Sequence, residues 1–319
     1  MPDTTGTRVR VFAPATVSNV GPGFDVLGFA LHRPGDIVEA ERSDAPGVEL
    51  VEVTGDEGAL PADAQRNAAG ISAADVLRRA GPGRVGGGIR LWLRKGMPLS
   101  SGLGSSGASS AAGAVAANEL LGRPLAIEDV VRSAMAGERA ACGSAHADNV
   151  APSILGGIVL IRCYDPLDLV RLPVPDGLFV AVVHPHCQVS TAEARDRLAH
   201  HPFALPDIVA NMGNLGALVA ALHQGNLGLL GRSIADRLVE PLRAGMIPAY
   251  ADVRRAALDA GALGCAASGS GPSVFALADA ADTAAGVARA MRKAFREHAS
   301  LATDAWVGPI SRDGAHQVP

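Results

Sequence analysis

Apolar and polar positions alternate first over residues 7–14. Val9, Val11 and Ala13 interleave there with Arg8, Arg10 and Phe12, and this period of two predicts a strand. A loop, TVSNVGPGFD (16–25), leads into an apolar run, VLGFAL (26–31), and Ile37–Arg42 and Val48–Val53 read as further strands. Ile71, Val76 and Leu77 carry helical spacing, which predicts a helix over 67–79 closed by Gly81. Ile89, Leu91 and Leu93 share one face of a half-buried strand over 89–94. Helices are expected over 106–121 and 128–139, then a polar patch and a strand over 158–162. Pro166, Pro173 and Pro175 mark a break, so a domain boundary is placed near Asp165–Asp176. Beyond it the pattern gives a strand (178–183), helices (192–200, 206–223, 226–238 and 249–260), an apolar 265–267, a strand (274–278) and a helix (281–297). Such uneven order predicts α+β sandwiches, not regular βαβ winding.

Composition narrows the classes. Aromatics make up 3% of 319 residues, so the core must be aliphatic. The 38 glycines cluster beside small polar residues, which favours binding loops lined by backbone. A net charge of −4 and the lack of any Lys/Arg run argue against a nucleic-acid partner. Lys95 and Lys293 are the two lysines and no G-x-x-x-x-G-K-[ST] occurs. A phosphate site must therefore lean on arginine, backbone N–H groups, a metal or helix ends. Cys142, Cys163, Cys187 and Cys265 are too dispersed for a zinc knuckle and too few for a disulfide scaffold, and read as reduced, mostly buried thiols. The N-terminal residues lack an apolar signal core and no 18-residue uninterrupted apolar run occurs, which predicts a cytoplasmic protein with no membrane partner.

The chemistry concentrates at MPLSSGLGSSGASS (97–110), a Gly/Ser run emptying into an Ala-rich helix. Small residues admit a close ligand, and a helix mouth offers N–H groups and positive dipole to an anion. The bland alternative is a flexible loop before a closely packed helix. Gly102, Gly104 and Gly107 formally spell G-x-G-x-x-G, but Lys95–Ser101 separate them from the strand, against a dinucleotide fold. Ser101, Ser105, Ser106, Ser109 and Ser110 are too many for one nucleophile; Ser105 and Ser106 suit capping, phosphate or a divalent cation. Glu138 reads either as a metal-associated carboxylate or as a solvated helix end. His146, Asp148 and Asn149 form a polar patch between apolar stretches, a site lining or an Asx-type turn before Pro152. Asn19 and Asp25 flank Gly21-Pro22-Gly23. Thr191 and Arg195 would share a helix face, and Arg243 could close on a carboxylate as a fork.

Six segments together resemble the homoserine kinases of the GHMP small-molecule kinase superfamily: APATVSNVGPGFDVLGFAL (13–31), PLSSGLGSSGASS (98–110), GSAHADNVAPSILGG (143–157), HPHCQVSTAEAR (184–195), EPLRAGMIP (240–248) and SGSGPSVFAL (268–277). The resemblance implies an α+β, two-domain GHMP kinase fold, with an N-terminal domain (1–170) like ribosomal protein S5 domain 2 and a ferredoxin-like C-terminal domain (171–319). It implies ATP, held by Pro98, Leu99, Ser100, Ser101, Gly102, Leu103, Gly104, Ser105, Ser106, Gly107, Ala108 and Ser109, with Mg²⁺ at Ser106 and Glu138. It further implies L-homoserine as the small-molecule substrate, bound by Asn19, Asp25, His146, Asp148, Thr191, Arg195 and Arg243, and a homodimer. Glu138, Arg195 and Asn149 stand at the catalytic positions. Asn149 departs from the Asp that mevalonate kinase looks to have there; an amide cannot act as a base, so no dedicated carboxylate base is expected. Competing readings are another GHMP kinase with a different alcohol, a NAD-dependent dehydrogenase, and a silent sensor of ATP or an amino acid. The two arginines suit an α-carboxylate and would be useless to a neutral sugar.

Overall fold

The computed structural model describes residues 8–81, 87–143, 145–199 and 201–319, with the side chains of Cys142, Thr191 and Ala192 outside the description. The first alternating segment is β1 (Val9–Ser18), which runs on past Pro14 through a register shift. The apolar run at 26–31 and the strand expected at 37–42 are one 17-residue strand, β2 (Leu27–Ser43), because β1 pairs with both parts, Gly28–Ala30 and Gly35–Ala40. With β3 (Gly47–Thr54), β4 (Gly88–Arg94), β5 (Ile158–Tyr164), β6 (Leu167–Leu172) and β11 (His316–Gln317) they make a seven-stranded sheet ordered β11-β1-β2-β4-β3, with β5 on β2 and β6 on β5. The division expected at residue 170 falls inside β6.

Four helices cover this sheet: α1 (Ala68–Ala80), α2 (Ser105–Leu120), α3 (Ile127–Cys142) and α4 (Ala147–Leu155). Asn67 caps α1, its Oδ1 accepting from the Ala69 N–H at 3.0 Å. The Ala- and Gly-rich α2 is buried almost all round, as a helix apolar on every side must be. Residues 147–155, which fall in the polar patch for which an Asx-type turn before Pro152 is one reading, are helical, with Pro152 inside the helix. No βαβ unit follows the glycine loop: α2 leads to α3, and β4 lies antiparallel to β2.

The second layer is a four-stranded sheet, β10-β7-β9-β8, from β7 (Phe179–Pro185), β8 (Gly264–Ala267), β9 (Val274–Ala278) and β10 (Thr303–Pro309). Neither β10 nor β11 was expected. The helices are α5 (Thr191–Ala199), α6 (Leu205–Gln224), α7 (Leu227–Ser233), α8 (Glu240–Arg243), α9 (Tyr250–Asp259) and α10 (Ala281–Ala299). The helix expected over 226–238 stops at Ser233 because Asp236 accepts from the N–H groups of Leu238, Val239 and Glu240, opening α8. Among the described residues α6 alone is long and apolar enough to cross a membrane, by length and composition only, and it carries Asp207, Asn211 and Asn214.

Period-two burial explains the layering. In β7, Val180 and Val182 point to one core while Ala181 and Val183 point to another shared with α9 and α10. The first of these cores also takes Val17, Leu27, Phe29 and Leu31 from the large sheet, with Phe29 set edge-on against Phe275 at 5.7 Å. A common apolar interior therefore joins both sheets. Of the cysteines, Cys265 is buried while Cys163 and Cys187 are half-buried, which corrects the expectation of mostly buried thiols among those described.

Candidate functional site

A cleft of about 830 Å³ runs between the layers, lined by the glycine-rich loop, the start of α2, the end of α3, α4 and the loop after β8. Asn19, Asp25, Glu138, His146, Asp148, Asn149, Arg195 and Arg243 all line it, as do Leu99 to Gly102, Gly104 to Ser106 and Ser109. Pro98, Leu103, Gly107 and Ala108 do not; Leu103 and Ala108 are core side chains, and Gly107 packs beneath Asn149. The side chain of Thr191 lies outside the described residues.

At one end lies the N-terminus of α2, where backbone N–H groups and the helix dipole favour negative charge. Unlike α1, α2 has no side-chain cap: its N-cap is Gly104, in the left-handed region at φ 65°. A Cβ there would stand 2.2 Å from Thr16 Oγ1 and 2.7 Å from Asn149 Oδ1, so glycine is required twice over. The second domain braces the loop. Ser268 Oγ donates to the Gly102 carbonyl (2.6 Å) and the Ser273 N–H to that of Ser101 (3.2 Å).

Beneath the helix mouth lies a buried cluster that sequence reasoning missed. Lys95 Nζ pairs with Asp36 and donates to the Ser105 carbonyl and to Ser109 Oγ, both at 2.9 Å; Ser109 Oγ in turn donates to Asp36 at 2.7 Å. The paired side chains are 1% and 0% exposed. Three ammonium donors meet three acceptors, so this lysine secures the first turn of α2 and is committed away from phosphate. No motif spacing announces it, because Asp36 lies 59 residues from Lys95.

The other end carries paired charges. Asp25 accepts from Arg195 Nη2 at 3.0 and 3.2 Å, and His146 Nδ1 lies 3.3 Å from that nitrogen. Burial, opposed by Asp25 and reinforced by Arg195, pulls the His146 imidazole below its ordinary value. Arg243 is buried, its Nε donates to the Ala194 carbonyl (3.1 Å), and burial followed by Arg195 lowers its pKa to about 10. The surface salt-bridge reading of Arg195 gives way to a cleft position.

Asp148 is 2% exposed, with its Oδ1 unpartnered, and burial together with Asp25 and Glu138 pushes its carboxyl up to about 7. Glu138 is 4% exposed, which overturns the solvated helix-end reading. Asn149 is clamped: Thr16 Oγ1 donates to its Oδ1 (2.8 Å) and its Nδ2 donates to Ser18 Oγ (3.2 Å). Asn19 braces the loop, with Nδ2 donating to the Gly269 carbonyl (2.9 Å) and Oδ1 accepting from the Asp25 N–H (3.1 Å). Tyr164, another residue without a sequence signal, donates through its hydroxyl to the Asp25 carbonyl at 2.7 Å and accepts from the Ala147 N–H at 3.3 Å.

The donor set also bears on a cation. Among the described residues no three His, Cys, Asp or Glu side chains cluster as a metal cage. Buried Glu138, with the Ser105 and Ser106 hydroxyls on the same cleft, is instead the sparse oxygen set that suits Mg²⁺ shared with phosphates and water.

Two family models match the chain, the GHMP kinases N terminal domain over residues 68–157 and the GHMP kinases C terminal domain over 218–297, so the class is a two-domain α+β GHMP kinase. A homoserine kinase of Chlorobium phaeovibrioides is 50% identical over 315 residues, covering 96% of this chain and 98% of that protein; one of Xanthomonas campestris is 42% identical over 316 residues, covering 99% and 96%. The crystal structure of homoserine kinase from Cytophaga hutchinsonii superposes with a TM-score of 0.93 at 48% identity, over 100% of this chain and 99% of that one. The chain belongs to the homoserine kinase family. Leishmania major mevalonate kinase, at 18% identity and a TM-score of 0.71, shares the fold.

Proposed function

We propose that this cleft transfers the γ-phosphoryl group of ATP to the hydroxyl of L-homoserine, giving O-phospho-L-homoserine. The observation that carries the reading is a single cleft with an uncapped helix mouth at one end and, at the other, two arginines beside two carboxylates. A zwitterionic amino acid suits the second end: Arg195 and Arg243 would take its carboxylate, Asp25 and Asp148 its ammonium. The side-chain hydroxyl would then reach toward Asn149 and the helix mouth.

When bound, nucleotide and Mg²⁺ supply the phosphoryl group and the charge neutralisation that exposes it to an incoming oxygen. The backbone N–H groups of residues 101–107 would hold the phosphates, and Glu138 and Ser106 the cation. Asn149, fixed by Thr16 and Ser18, would orient the hydroxyl without removing its proton, which is left to the phosphoryl oxygens. An ADP-release assay tests the reading, with homoserine against serine, threonine and mevalonate, each with and without Mg²⁺. Release should require Mg²⁺ and favour homoserine; equal rates with mevalonate would point to a different alcohol kinase.

A further inference from the structure

Arg243 has no carboxylate within salt-bridge reach among the described residues, yet it is buried. Its positive charge lies beside that of Arg195, so the pair is self-repelling. Asp25 takes the charge of Arg195 directly and, with Asp236 and Asp148, acts on Arg243 only through space; the contact the two arginines share is one aromatic ring. The guanidinium carbon of Arg243 lies 4.9 Å from the centroid of Phe24, and that of Arg195 lies 5.8 Å from the same centroid. The loop geometry makes the ring available: Phe24 sits next to Asp25, which is in the left-handed region at φ 58°, and Asn19 and Tyr164 brace the same turn.

A ring face stabilises a cation differently from a carboxylate. A guanidinium that stacks on a ring leaves its N–H donors, which lie in its plane, open to another acceptor. A carboxylate on Arg243 would occupy that fork and compete with any incoming anion. We infer that Phe24 is a positioning and specificity residue, whose ring holds the Arg195–Arg243 pair charged and aligned while leaving the fork of Arg243 to the substrate carboxylate. The inference rests on the homoserine reading of the cleft.

Steady-state kinetics of Phe24→Leu, Phe24→Met and Phe24→Trp test it. Leu and Met keep the apolar bulk and remove the quadrupole; Trp keeps a stronger one. The two aliphatic variants should raise KM for homoserine about tenfold, with kcat and the KM for ATP within about twofold of wild type. Phe24→Trp should stay close to wild type. An unchanged homoserine KM in both aliphatic variants would overturn the inference, as would a parallel loss in kcat and both KM values, or a Trp variant as impaired as Leu. A wild-type chain without homoserine-dependent ADP release would instead bring down the functional reading itself.

Discussion

Lys95 and Asp36 show how a charge can serve a phosphate site without touching phosphate. Their ion pair is dry, and its remaining donors fasten the first turn of α2. Removing one partner strands a buried charge, so Lys95→Met should cost about 3–5 kcal/mol of stability, read from urea unfolding, and weaken ATP binding. A loss below about 1 kcal/mol would mean that water reaches Asp36. Asp148 works in the opposite direction. Its carboxyl is held up to about 7, so between about 3.9 and that value the folded chain binds a proton that the unfolded chain has lost. Its contribution to stability therefore falls as pH rises through this window and levels off above it. Asp148→Asn should be more stable than wild type at pH 8, by up to about 4 kcal/mol, with the gap closing toward pH 4, while its homoserine KM rises. Unfolding curves at the two pH values check this. Sequence could single out Asp148 from its polar segment, Glu138 from the small residues around it and Arg195 from its four-residue spacing to Thr191, though not choose between site and surface for them. It could not find Lys95, Tyr164 or Phe24, whose partners lie far along the chain.

Helix α4 carries His146, Asp148 and Asn149 at or near its first turn, and it escaped the sequence reading because Pro152 and the flanking glycines argue for a loop. Tertiary packing overrides that local preference. β2 comes so close that a Cβ on Gly28 would stand 1.9 Å from the Asp148 carbonyl oxygen. Gly28→Ala should push α4 away and lower kcat/KM by about 100-fold, with a smaller change in melting temperature; activity assays paired with calorimetry separate the two. Strong alternation made β1, β3 and β4 legible, and helical spacing with a glycine stop did the same for α1. β10 was missed because its residues TDAWVGP alternate weakly and are largely exposed or half-buried. β11 is two residues long, too short to leave any periodic trace.

The last segment of the chain crosses back from the second sheet to the first. Ser311 exchanges bonds with Ala30 and Gly157, and His316 and Gln317 add an edge strand beside β1. Deleting residues 310–319 should therefore destabilise the first layer, visible as a fall in melting temperature and lost protection of the β1 amides in hydrogen exchange. Residues 1–172 produced alone would lack that edge and bare the apolar surface that meets Phe275 and Leu277, so they should aggregate. The interior bridging both sheets sets a limit on motion as well. Halves bonded through packed aliphatic side chains do not swing apart like jaws, since that would wet Phe29, Leu31 and their partners on each turnover. Ala59 to Pro61, Gln65 to Ala68 and Gln188 line the cleft from loops and a helix start outside that shared interior. Turnover should therefore prove insensitive to cross-links placed between the two slabs.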